Sequence, residues 1–190
     1  LGRQLGTQDY IGQRVHQVMT IIRNLSFFEE NISILASDKT LIRFLVMSAN
    51  VRWNNLHMMA LDVLGNICSD VILKDPFADL VSRHLFGLVC DEIESRDRAT
   101  IIAAMEVLSK LCSKEENEEF LLKHLKKENY QSASIYLLVP DMMLLVYTLE
   151  CIYSLTSLGE KACNCFVEIH GFMDTLVSLV TIEAQSLGPD

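Results

Sequence analysis

Few residues in this 190-residue chain have the types and spacing that chemistry needs. The five histidines, His16, His57, His84, His124 and His170, share no spacing with a serine, cysteine or aspartate that would make a nucleophile–base pair. No glycine-rich phosphate loop, nucleophile elbow or HExxH stretch occurs. Cys163-Asn-Cys165 with His170 comes nearest to a metal set. Two residues apart on a helix, however, the thiols point about 200° away from each other. No second pair completes the set. The other cysteines, at 68, 90, 112 and 151, sit in apolar runs and read as small buried hydrophobes of a reducing compartment. In such a compartment the glycosylation-type triplets at Asn24 and Asn31 are chance matches. The expectation is a chain with no catalytic group, no metal and no cofactor.

Binding chemistry has more support. Asp62, Glu106 and Glu150 stand 44 residues apart, with Thr20 preceding them by 42. One helical turn after each stands Asn24, Asn66, Lys110 and Ser154. On stacked helices the three carboxylates form an acidic row that attracts a basic partner segment. In the alternative, Glu106 pairs with Lys110 at i,i+4 and the others are solvated. Trp53, beside Arg52, is either an interface anchor or packing under an inter-helix turn.

The elements that position these residues repeat. "MTIIRNLS" (19–26), "LDVLGNIC" (61–68), "MEVLSKLC" (105–112) and "LECIYSLT" (149–156) align without gaps. Their apolar columns are Met19, Leu61, Met105, Leu149; then Ile22, Leu64, Leu108, Ile152; then Leu25, Ile67, Leu111, Leu155. Columns three residues apart follow the helical period, so each segment ends an amphipathic helix with one buried stripe. Each is followed by a shorter helix, over 27–37, 113–125 and 157–171, with glutamates near its start. A further helix follows, over 41–49, 81–90, 132–139 and 172–180, and Asp75-Pro76 and Pro140-Asp141 mark joints. The period of about 43 residues lies in the armadillo/HEAT range. The predicted fold is all-α: a right-handed armadillo-type α-solenoid of about four repeats forming one domain over 1–190. Residues 9–26 supply the last helix of one repeat. Residues 27–69, 70–112 and 113–156 form full repeats, the middle one most irregular, and 157–182 supply two helices of a further one. Both ends fall in mid-repeat without a polar cap, so the chain is expected to continue in a parent protein or to dock.

Composition agrees with this class. Half the residues are apolar, 22% are charged, and there are only 3 Pro and 8 Gly. No apolar run reaches the roughly 18 residues that span a bilayer. The chain opens on Leu with no signal-peptide pattern, as a piece of a larger protein would. A net charge of −9 argues against a phosphate-binding surface; "KHLKKENY" (123–130) is the one basic cluster and reads as a solvated helix end.

Against this background "IGQRVHQVMTIIRNLSFFEENISILA" (11–36), "LIRFLVMSA" (41–49), "LDVLGNIC" (61–68), "SRDRATIIAAMEVLSKLC" (95–112) and "LVSLVTIEAQSLGPD" (176–190) resemble one family. It is the armadillo-like region of the AT-rich interaction domain protein 2 family, subunits of PBAF-type SWI/SNF chromatin remodellers. The segments 77–94 and 121–138 match more loosely. The resemblance implies a nuclear, non-catalytic scaffold on which the ATPase and other remodeller subunits assemble. It also implies no nucleic-acid binding by this region, since that family's DNA-binding domains lie elsewhere, and no membrane association. Basic helical segments of other subunits are then the expected partners of the acidic row. The competing reading is a general armadillo adaptor of the transport or adhesion type, binding a basic peptide or helix in its concave groove. Such grooves carry a tryptophan ladder where this chain has Thr20, Asp62, Glu106 and Glu150, which disfavours a clamped extended peptide.

Overall fold

Runs of Leu, Ile, Met and Ala spaced three and four apart, with almost no Pro inside them, dictate helices with one apolar face. A computed structural model describes residues 10–186, with side chains through 180. Position 9 and the last residues of the closing phrase, 187–190, lie outside the described residues. The helices are α1 (Tyr10–Ser26), α2 (Glu29–Ser37), α3 (Lys39–Ala49), α4 (Asn54–Ile67), α5 (Leu80–Ile93), α6 (Arg98–Cys112), α7 (Glu118–His124), α8 (Lys127–Ser134), α9 (Met142–Thr156), α10 (Glu160–Val167) and α11 (Phe172–Ser186). The four long helices α1, α4, α6 and α9 pack one on the next, and a second row, α3, α5 and α8, runs behind them, with α10 and α11 packing at its end. This is an armadillo-type α-solenoid. Its core is continuous: Leu64, Leu108, Met105, Ile67 and Leu111 are essentially inaccessible. Each such side chain contributes about 1.5–3 kcal/mol through burial.

The middle repeat is irregular in its first segment, and two further stretches depart from the sequence reading. After α4, residues 70–79 form no helix but an extended strap, because Asp75-Pro76 interrupts the run and no acidic helix start is present. The stretch 113–125 begins as a 3-10 turn, Glu115–Asn117, before α7. The helix expected over 132–139 starts at Lys127 and ends as a 3-10 turn, Ile135–Leu138, ahead of Pro140. The apolar columns also fail at two corners. Leu25 is 44% exposed and Leu149 38% exposed, although their column mates are buried. Inner long helices have a long helix on each side; among the described residues α1 and α9 have one on a single side only. Leu25 is therefore not core, whereas Ile22 packs against it.

Four of the larger helices start on an aspartate. Asp38, Asp79, Asp97 and Asp141 accept backbone N–H groups of α3, α5, α6 and α9. The Ser82 hydroxyl, 2.6 Å from Asp79, holds that carboxyl below its ordinary range. The Thr100 N–H, at 2.9 Å, does the same for Asp97. Arg98 donates to both oxygens of Asp141 and brings it down to about 2. A carboxyl depressed in the folded state adds stability above its unfolded value that is lost as pH falls through the folded value. Thermal melts are therefore expected to hold down to about pH 5 and to fall between about pH 4 and pH 2. Asp141→Asn should keep the cap and flatten part of that fall; an identical acid profile for this variant would refute the assignment.

Candidate partner-binding face

The exposed side of the long-helix row gathers most of the residues singled out by sequence. Asp62, Glu106 and Glu150 come together as neighbours on α4, α6 and α9. Burial raises the Glu106 carboxyl, Lys110 one turn along draws it back, and the charges of Glu150 and Asp62 push it up again. The Glu106 side chain lies across α4 beside Gly65, where a Cβ would stand 3.4 Å from its Cδ, at ordinary contact distance. Asp62 is the member already engaged. Its Oδ2 accepts from Arg23 Nε at 2.9 Å, with both side chains more than a third exposed. The Arg23 guanidinium also sits 5.2 Å over the Phe27 ring. A pair this exposed contributes at most about 1 kcal/mol, so it tempers the field of the row more than it stabilises the fold.

The asparagine positions divide. Asn24 is exposed at the end of α1. Asn66 is half-buried and donates to Ser26 Oγ at 2.9 Å, tying α4 to α1. Ser154 and Ser109 share a hydrogen bond of 2.6 Å between α9 and α6. Two of the four positions therefore join neighbouring helices, and Asn24 and Lys110 remain at the surface or its edge. Sequence reasoning missed Arg23, Ser26 and Ser109. The signal was the column beside Asn24, which reads Arg23, Gly65, Ser109, Tyr153 and so holds small or hydrogen-bonding groups wherever a helix crosses.

Trp53 precedes α4 and stacks on His16 of α1, ring centroids 5.6 Å apart and 23° from parallel. Asn55 donates to His16 Nε2 at 3.0 Å. Together with Gln13 and Gln17 these three line an open cleft of about 330 Å³ at one edge of the row. Trp53 is half-buried, so it both packs the α1–α4 joint and presents an edge to that cleft.

Beneath this face the polar groups are structural. His57 is buried between Ala49 C=O and Thr100 Oγ1, the latter at 3.3 Å. Burial pushes the Cys90 and Cys112 thiols up to about 12, and raises Cys68 and Cys151 further. Such thiols stay protonated and unreactive near neutrality. Cys163 Sγ lies 3.4 Å from Thr156 C=O, and Cys165 leans on the core. Among the described residues no three His, Cys, Asp or Glu side chains gather as metal ligands would.

No family model matches the chain. Individual proteins do. The chain is 38% identical to mouse (Mus musculus) AT-rich interactive domain-containing protein 2 over 99% of its length and 10% of that protein's. It is 36% identical to the Caenorhabditis elegans SWI/SNF chromatin remodeling complex subunit swsn-7, over 93% of the chain and 14% of that protein. The chain thus spans only about a tenth to a seventh of these curated relatives. Among solved structures, a designed armadillo repeat protein superposes with TM-score 0.72 at 13% identity, covering 94% of this chain and 72% of the other. An engineered protein superposes with TM-score 0.64 at 15% identity, covering 93% and 69%. At such identity these two likenesses establish the fold alone.

Proposed function

We propose that this chain, a relative of one segment of AT-rich interactive domain-containing protein 2, is a non-catalytic scaffold segment of a nuclear chromatin-remodelling complex of the SWI/SNF, PBAF-type class. Its likeness to two curated proteins, one named as a SWI/SNF complex subunit, supports the setting. The observation that carries the mode of action is the neighbouring placement of Glu106, Glu150 and Asp62 across three stacked helices. In an armadillo-type solenoid the long helices line the concave side, so the row offers an extended docking track. A basic helical segment of another subunit fits it, because Glu106 and Glu150 make no ion pair among the described residues, while Asp62 is engaged by Arg23. Asn24, Asn66, Lys110 and Trp53 border the track. The frame is the repeat division 27–69, 70–112 and 113–156, with the long helix closing each unit. The net charge of −9 supports a protein partner over a nucleic acid.

Glu106→Lys together with Glu150→Lys is expected to weaken capture of remodeller subunits from nuclear extract by about tenfold or more and to flatten its salt dependence. The melting temperature should stay within a few degrees. Recovery of remodeller subunits, identified by mass spectrometry and unaffected by the reversal, would overturn the acidic-track assignment while leaving the scaffold role standing. Recovery of transport cargo or adhesion-protein tails in their place would favour the general adaptor reading, for which the basic-peptide track would be the same.

A further inference from the structure

The row of first helices is broken once, and the break leaves a cleft. α2 follows α1 and α7 follows α6, but α4 is followed by the strap 70–79. The strap is held firmly. Asn117 donates to Val71 C=O at 2.9 Å and accepts from Leu73 N–H at 2.7 Å; Ser82 Oγ accepts from Lys74 N–H at 2.9 Å. Val71 and Leu73 point inward and are buried, while Ile72 points out. Between the strap, α3 and α5, where a helix would otherwise lie, is a space of about 230 Å³ with a mostly apolar lining that includes Ile42, Val81, Leu85 and Ile72. Pockets for whole small molecules run from roughly 300 to 1,000 Å³. This one has room for a single large apolar side chain.

Its surroundings indicate what that side chain belongs to. Phe77 is 91% exposed, held outward by a turn in which Asp75 Oδ1 accepts its N–H at 2.8 Å. Leu80, at the start of α5, is exposed as well. A rigid strap that shows Ile72 and Phe77 to water has an apolar surface to cover. The charges on the rim are partly matched: Lys39 bridges Asp79 at 2.9 Å, and Lys114 lies 3.7 Å from Asp70. Of the four charged residues lining the cleft, Lys39, Asp70, Lys74 and Asp79, Lys74 alone is without an ion pair among the described residues.

We propose that the strap cleft is a docking site for a short acidic peptide segment of a partner protein, which inserts one Leu- or Phe-type side chain between α3 and α5 and sets a carboxylate against Lys74. The site lies apart from the acidic track and its charge preference is the opposite, so one solenoid would hold two partner segments of unlike charge. Side-chain anchoring in a small apolar pocket supplies the affinity, and the rim cation selects the sequence.

The test uses methyl-labelled chain titrated with synthetic octapeptides. One set carries a central Leu or Phe followed by two Asp, a second carries two Lys in their place, and a third carries a central Ser. The Leu and Phe peptides with Asp are expected to shift the methyl signals of Ile42, Val81 and Leu85, saturating with a Kd of about 1 mM or below. The Ser peptides should shift nothing there. Lys74→Glu, at an exposed position, should weaken the acidic peptides roughly fivefold without moving the melting temperature. Equal binding of Asp and Lys peptides, an unchanged Kd in Lys74→Glu, or shifts confined to the long-helix face would each overturn the proposal. The acidic track is tested separately, through the reversal at Glu106 and Glu150.

Discussion

Asn117→Ala is expected to lower the stability of the chain by about 3–5 kcal/mol, among the largest losses any single substitution here should cause. Asn117 is fully buried and its amide serves three backbone groups. Nδ2 donates to Val71 C=O at 2.9 Å and to Leu111 C=O at 3.0 Å, and Oδ1 accepts from Leu73 N–H at 2.7 Å. Alanine keeps none of these bonds and leaves all three groups in a space that admits little water. Each stranded group costs about 1–3 kcal/mol, less where the strap can shift to reach solvent. For a chain of this size the loss corresponds to a drop in melting temperature of roughly 10 °C, read by calorimetry or circular dichroism.

The repeat supplies its own control. Asn31 ends the same Glu-Glu-Asn phrase and makes the equivalent bond, Nδ2 to Leu25 C=O at 3.0 Å. That bond is exposed, and among the described residues Asn31 makes no second side-chain bond to a strap. Asn31→Ala should then cost less than about 1 kcal/mol. A loss at Asn117 no greater than at Asn31 would show that the strap is not held by this amide. The same comparison bears on the strap cleft, because Asn117→Ala should also broaden the methyl signals of Ile42 and Leu85 by loosening the strap above them.

Local periodicity made the solenoid legible. Columns such as Ile22, Leu64, Leu108 and Ile152 sit three residues from their neighbours and recur at one period, and burial follows that pattern through the inner repeats. The adjacency of Asp62, Glu106 and Glu150 was readable for the same reason. What sequence did not reveal is decided across the stack. Arg23 reaches Asp62 over 39 positions, and nothing near Arg23 in the chain specifies that partner. Asn117 was visible as a repeated letter, yet its weight comes from Val71 and Leu73, 46 and 44 positions away. The strap was visible as an irregularity around Asp75-Pro76, but the cleft beneath it depends on how α3 and α5 are spaced when no helix lies between them.

The corners of the apolar columns allow a second large effect to be anticipated. Met105→Ala is expected to cost about 2–5 kcal/mol, and Leu149→Ala, in the same column, under about 1 kcal/mol. Met105 is fully buried between α6 and α9, where Thr148 Oγ1 donates to its Sδ at 3.5 Å. Truncation there removes the transfer term, opens a cavity in a close-packed seam and strands a buried hydroxyl. Leu149 is 38% exposed, so alanine removes surface that water already reaches. Urea unfolding of the two variants beside the parent chain checks the difference through the midpoint, with the slope showing whether the solenoid still unfolds as one unit. If Leu149→Ala cost as much as Met105→Ala, its face of α9 would have to be buried in solution, and the side of the long-helix row beyond α9 would not be open. A small cost at Leu149 together with a large one at Met105 means that whether the side chain faces a neighbouring helix, as Met19 does even on α1, and not the apolar letter alone, makes a column position core.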